Sequence, residues 1–204
     1  MNPDTFSDDS RRILVLGAEG PVGLEIARIG RSLGHRITCV AAAGRQAAPE
    51  EPWVEGVDWL QAGPDQHTRW SGAVERADAV IWNWPQEPPT DDLAGEGSKS
   101  APRLVVLNSA AAGGWGAAHT PGAFGEIGAV VLSSPPLYGA DPVDAERAPV
   151  VGMHASELEE ADGPEPQPFE VLAIAALRGA IESEHRGELT AAEVTRLGRA
   201  MYIH

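Results

Sequence analysis

Residues 13–40 read ILVLGAEGPVGLEIARIGRSLGHRITCV, and the fold is decided inside this stretch. Ile13, Leu14, Val15 and Leu16 form a short apolar run that stops at Gly17, after which Val22, Ile26, Ile29 and Leu33 recur at spacings of 4, 3 and 4. A continuous apolar run suits a strand buried on both faces, and the recurrence places four side chains on one face of a helix. Gly34 follows the last periodic residue as a stop, and Arg36, Ile37, Thr38, Cys39 and Val40 resume a pattern rich in β-branched residues. Strand, helix and strand in so short a span form a parallel, right-handed unit, because a parallel pair needs a crossover and the strand twist fixes its hand.

The turn from strand to helix is Gly17-Ala18-Glu19-Gly20-Pro21-Val22-Gly23, a G-x-x-G-x-x-G. Gly17 permits the tight turn, Gly20 lets a ligand approach the backbone, and Gly23 allows the helix to pack closely on the strand. The helix start offers free N–H groups to an anion. A glycine triplet in this context points to a dinucleotide-type site, the alternative being a tight turn that only packs.

Outward from this unit, residues 57–60, 79–82, 104–107 and 129–132 are four more short apolar runs, and residues 67–76 form a polar helix candidate. The pattern predicts an α/β fold with a parallel sheet buried on both faces. The connections at residues 85–102 and 110–127 are dense in Gly, Pro and Ala and show no helical stripe. One sheet face is therefore expected to be thinly covered, with a partner subunit, a second copy or a packed loop against it. Residues 1–10 are expected to be a disordered tail, 11–139 the sheet domain, 140–168 an acidic Pro-rich linker and 169–204 a helical C-terminal lobe. In that lobe Val171, Ile174, Leu177 and Ile181 make one stripe, and Thr190 with Glu193 makes a capping box opening a second helix through Val194, Leu197 and Met201.

The 204 residues carry 15 Lys plus Arg against 30 Asp plus Glu, a net charge of -15. Such a field repels nucleic acid and anionic membrane surfaces. No apolar run approaches the length of a membrane span, the start of the chain has no apolar core of a leader, and the lone Cys39 sits in an apolar stretch. These features predict a cytoplasmic protein. The six histidines show no metal-ligand spacing, so no metal site is expected.

Residues 13–40 resemble the opening of the atypical and extended short-chain dehydrogenase/reductase families, the NmrA-like and NAD-dependent epimerase/dehydratase groups in particular. Residues 76–81 (RADAVI), 103–110 (RLVVLNSA), 134–139 (SPPLYG) and 187–193 (GELTAAE) resemble later pieces of those proteins in the same order. The resemblance implies a doubly wound Rossmann sheet in order 3-2-1-4-5-6 with a small helical C-terminal lobe and the ligand at the carboxyl ends of the strands. It places Gly17, Glu19, Gly20, Pro21, Val22 and Gly23 beside a nicotinamide dinucleotide. Asn83, at the end of the fourth strand, is a further cofactor-binding candidate. Many relatives carry Thr where Glu19 stands, and a carboxylate near a pyrophosphate is unfavourable unless it points away or pairs with Arg. After the second strand there is no acidic residue for a ribose, only Ala41, Ala42, Ala43, Gly44 and Arg45, which leans to NADP over NAD.

Catalytic members of those families use a tyrosine made acidic by a lysine four residues later. Here the single lysine is Lys99, Tyr138 is followed at that distance by Pro142, and Tyr202 lies at the end of the chain. The standard pair is absent. Ser109 matches the family's serine after the fifth strand and is the catalytic candidate, with His119 a weaker proton carrier. Trp82 and Trp84 flank Asn83 on one face of a strand, where they wall a pocket for a planar substrate, cover the sheet in place of helices or form a subunit contact. Three readings stay open: an oxidoreductase or epimerase-like protein transferring hydride directly to a planar or conjugated molecule, a non-catalytic dinucleotide sensor binding a protein partner, and a scaffold that has lost its cofactor.

Overall fold

The computed structural model describes residues 10–42, 51–89, 93, 101–108, 128–135, 137–138 and 167–200. β1 (Arg12–Leu16), α1 (Pro21–Ser32) and β2 (Arg36–Ala41) form the crossover unit read from the sequence. β3 (Asp58–Gln61), α2 (His67–Val74), β4 (Ala79–Trp82), β5 (Arg103–Asn108) and β6 (Val130–Ser133) follow. β7 (Leu137–Tyr138) and β8 (Gln167–Pro168) pair with each other, and α3 (Phe169–Ile181), β9 (Gly187–Leu189) and α4 (Ala191–Arg199) complete the chain.

The sheet order is β3-β2-β1-β4-β5-β6-β9, with every pair parallel. This is the doubly wound Rossmann order, extended by one edge strand that the sequence reading did not contain. The reversal of strand order lies between β1 and β4, which are hydrogen-bonded neighbours with Leu16 opposite Trp82. A crevice at the carboxyl ends opens at such a switch point.

Alternate residues of each strand feed two cores, as the two-residue period of a strand requires. Ile13, Val15, Ile37, Cys39, Ile81, Val105 and Val130 pack under α1 and α3. Leu14, Leu16, Val40, Val80, Trp82, Leu104 and Val106 pack under α2. Each fully buried Leu, Ile or Val contributes about 1.5–3 kcal/mol, so both faces hold the sheet in place. Burial drives the Cys39 thiol pKa well above its ordinary value, which makes it an inert core group.

The segment expected as a C-terminal lobe lies against the sheet. Leu172, Ala173, Ala176 and Leu177 of α3 are buried in the same core as α1, and α4 crosses α3 so closely that a Cβ at Gly198 would collide with the Val171 carbonyl oxygen. Its capping box is present: Glu193 N–H donates to Thr190 Oγ1, and Thr190 N–H donates to Glu193 Oε2 at 2.8 Å. On the other face α2, Trp70, Trp82, Trp84 and Leu93 supply the cover. Most of the breaker-rich connections, residues 1–9 and most of the expected linker lie outside the described residues. Among the described residues no helix is long and apolar enough to cross a membrane.

Candidate functional site

β1 ends at Leu16, and the chain turns at Gly17 with φ +86°, in the left-handed region that a side chain disfavours. The turn is pinned from two sides. Gly17 and Ala18 N–H groups both donate to the Val40 carbonyl of β2, at 3.0 and 2.9 Å. From β4, Asn83 N–H donates to Leu16 O at 2.8 Å, and Asn83 Nδ2 donates to Gly17 O at 2.8 Å. The neighbouring strands β2 and β4 thus fix the start of the loop.

The three glycines differ in what a side chain would meet. A Cβ at Gly17 would lie 2.9 Å from Asn83 and Trp84 atoms, and one at Gly23 would lie 2.7 Å from Ala18 Cα and Gly17 O. Both positions are closed by the protein itself. A Cβ at Gly20 would meet nothing within 4 Å, so only this glycine faces open space. Gly20 is also the N-cap of α1, with Pro21 in the first turn and neither a side-chain cap nor an acidic residue there. The first-turn N–H groups of Val22 and Gly23 have no acceptor within the helix. Open space beside Gly20, uncapped N–H groups and the positive end of the α1 dipole together suit an anionic group approaching the backbone.

Glu19, between the closed and the open glycine, is held by Trp84: its Oε1 accepts from Trp84 Nε1 at 2.9 Å. Trp84 also lies against Gly17, so the carboxylate is kept to that side of the loop while the space beside Gly20 stays clear. This resolves the repulsion expected from a carboxylate in such a loop without an arginine. Glu19 Oε2 is buried with no hydrogen-bond partner among the described residues. Sequence reasoning missed Trp84 as the partner of Glu19 and Asn83 as the clamp on Gly17. The signal that finds them is the carboxylate itself, since a buried one needs a donor and residues 83–84 continue the strand next to β1.

Of the readings of the tryptophans, packing over the sheet is the one observed for Trp70, Trp82 and Trp84. Trp70, Trp82 and Trp84 are buried, with Trp82 and Trp84 edge to face at 5.0 Å and Trp70 to Trp82 at 6.2 Å. Trp82 Nε1 donates to Gln86 O at 2.6 Å. These rings form a core rather than a pocket wall. Asn108 and Ser133 end β5 and β6 side by side at the same sheet edge as the loop, and Ser134 N–H donates to Asn108 O at 2.9 Å. Ser109, Arg45, His119 and Lys99 lie outside the described residues, as does the side chain of Tyr138.

No protein-family model matches the chain. A stretch of 101 residues, 48% of the chain, is 31% identical to the bifunctional NAD(P)H-hydrate repair enzyme Nnr of Escherichia coli (strain K12) and spans only 18% of that protein. Among solved structures, the Bordetella bronchiseptica enzyme WbmG in complex with NAD matches with a TM-score of 0.59 at 13% identity, over 98% of this chain and 81% of that one. Vestitone reductase from alfalfa (Medicago sativa) matches with a TM-score of 0.58 at 14% identity, over 95% and 82%. A blue fluorescent protein from a metagenomic library, in complex with NADPH, matches with a TM-score of 0.59 at 14% identity, over 91% and 97%. The class is an α/β Rossmann protein. More narrowly, the chain has the fold shared by the epimerases and the short-chain dehydrogenase/reductases.

Proposed function

We propose that this chain binds a nicotinamide dinucleotide at the glycine loop of residues 17–23. The observation that carries the reading is that Gly20 alone among the three glycines faces open space, at an uncapped helix start above the switch point of the sheet. Val22 and Gly23 N–H groups would receive the pyrophosphate, and Asn83 and Trp84 would hold the loop from behind. That two of the structural relatives carry NAD or NADPH supports the same ligand here. Ala41 and Ala42 leave no carboxylate for a ribose after β2, which favours NADP over NAD with Arg45 as the candidate for the extra phosphate.

When bound in its reduced form, such a cofactor supplies a hydride. This chain has no Tyr-x-x-x-Lys pair to deliver the accompanying proton. That restricts the acceptor to one that takes its proton from water, as a quinone or enone does, with Ser109 assigned to orient its oxygen. With Trp82 and Trp84 buried in the core, it is the missing proton-delivering pair that selects a quinone or enone acceptor. A lone, buried Cys39 fits a reducing, cytoplasmic setting.

Titration with NADPH, NADP, NADH and NAD, followed by tryptophan fluorescence, tests the reading, because Trp84 touches the loop. Saturable binding is expected, tighter for the phosphorylated pair, and Gly20→Asp should weaken it at least tenfold by filling the open space with a charge. No binding of any of the four at about 1 mM, an affinity far weaker than a working cofactor site, would refute the assignment. Binding without NADPH consumption over a panel of quinones and enones would identify the protein as a non-catalytic sensor.

A further inference from the structure

Beyond the switch point the sheet continues through β5, β6 and β9, whose carboxyl-end polar side chains play no part in holding the glycine loop. Val106 and Val131 pack on the α2 side of the sheet. Residues two apart on a strand point to the same face, so Asn108 and Ser133, opposite each other in register, point that way too. Glu188 stands opposite Val131 and shares the face. An amide, a hydroxyl and a carboxylate thus form one row across three adjacent strands, over about 10 Å at the ordinary strand spacing.

The hydrogen bonds of the row decide what it can still offer. Ser133 Oγ donates to Glu188 Oε1 at 3.2 Å, which spends the hydroxyl hydrogen and leaves that oxygen only lone pairs. Glu188 Oε2 and the side-chain amide of Asn108 make no hydrogen bond among the described residues, and no arginine pairs with Glu188 there. The backbone of Asn108 is fixed, because Ser134 N–H donates to its carbonyl at 2.9 Å. Asn108 and Ser133 are half-buried and Glu188 is exposed. The row is therefore rich in acceptors, one of them anionic, and Asn108 Nδ2 is its free donor.

We propose that Asn108, Ser133 and Glu188 select a neutral, hydroxyl-bearing enone or quinone as the substrate. This inference rests on the oxidoreductase reading. A dinucleotide straddles the switch point, so with its adenosine half after β2 the hydride-bearing half lies over β4 and β5, next to the row. A substrate hydroxyl gives its hydrogen to Glu188 and takes one from Asn108 Nδ2. A carboxylate or phosphate has no hydrogen to give and meets the Glu188 charge. A ring without a hydroxyl gains nothing from the row. Because Glu188 is open to water, the preference for the hydroxyl is about tenfold, the effect of one hydrogen bond to a charged group.

NADPH consumption by the full chain with cyclohex-2-enone, 4-hydroxycyclohex-2-enone and 4-oxocyclohex-2-ene-1-carboxylate tests the proposal. In each, the β-carbon gains the hydride of NADPH, releasing NADP, and the α-carbon gains a proton from water, giving the saturated ketone and hydroxide. The expected order of kcat/KM is hydroxyl, parent, carboxylate. Glu188→Ala should bring the ratio of hydroxyl to parent close to one and raise the ratio of carboxylate to parent, a charge effect that a merely structural role would not produce. Should that variant fail to fold, Asn108→Leu, which keeps the volume, must lower the hydroxyl preference. The proposal is overturned if the parent protein shows no preference for the hydroxyl, if both variants keep it, or if none of the three enones is reduced. Tryptophan fluorescence titration with NADPH separates the two failures: where NADPH still binds, the dinucleotide reading stands and the substrate assignment alone falls, and where it does not bind, both fall.

Discussion

Glu19 is the residue where the loop departs from what its surroundings favour. Its Oε2 is buried with no hydrogen-bond partner among the described residues, a penalty of about 1–3 kcal/mol, and the Trp84 Nε1–H donated to Oε1 limits the cost of holding the carboxylate there. Removing that donor should be costly. Trp84→Phe deletes the N–H and opens a gap beside Gly17, so a loss of about 2–3 kcal/mol in urea unfolding is expected. Glu19→Gln in the same background should recover part of it, because a neutral amide costs less to leave unpaired. A double-mutant cycle in which the two losses simply add would show that the hydrogen bond contributes nothing.

Elements differ in how openly the chain announces them. The first strand, helix and strand are visible because their apolar residues repeat at strand and helix periods, and the capping box at Thr190 and Glu193 marks the start of α4 from sequence alone. Thr190→Ala should therefore cost about 1 kcal/mol, read as a lower urea midpoint with dinucleotide affinity unchanged, since α4 packs on α3 and stands apart from the loop. A large change in affinity would mean that α4 supports the site. β9 is different. Three residues cannot show an alternation, and Gly187–Leu189 become a strand only because Val130 and Leu132 of β6 offer an open edge. The same reason hides part of the site: the glycine triplet is local and legible, whereas Asn83 and Trp84 meet Gly17 and Glu19 across about 65 residues of chain and through a strand neighbour that only the sheet order reveals.

For the whole molecule, the charge of -15 sets a test of how a dinucleotide would be held. The ligand is itself an anion, so the long-range field opposes its approach, while the N–H groups at the start of α1 act only at contact. Salt weakens the first and spares the second, since the Debye length falls to about 10 Å at 0.1 M. Affinity for NAD should then rise about two- to threefold between roughly 20 and 200 mM salt, the reverse of an interaction built on cationic side chains. If Arg45 clamps the additional phosphate, NADP gains a short-range ion pair that salt does weaken, and its advantage over NAD should shrink across the same range. Fluorescence titrations of both ligands at the two salt concentrations decide the matter. A steep loss of NAD affinity with salt would show that arginines rather than the glycine loop hold the pyrophosphate, and parallel curves for NAD and NADP would remove Arg45 from the site.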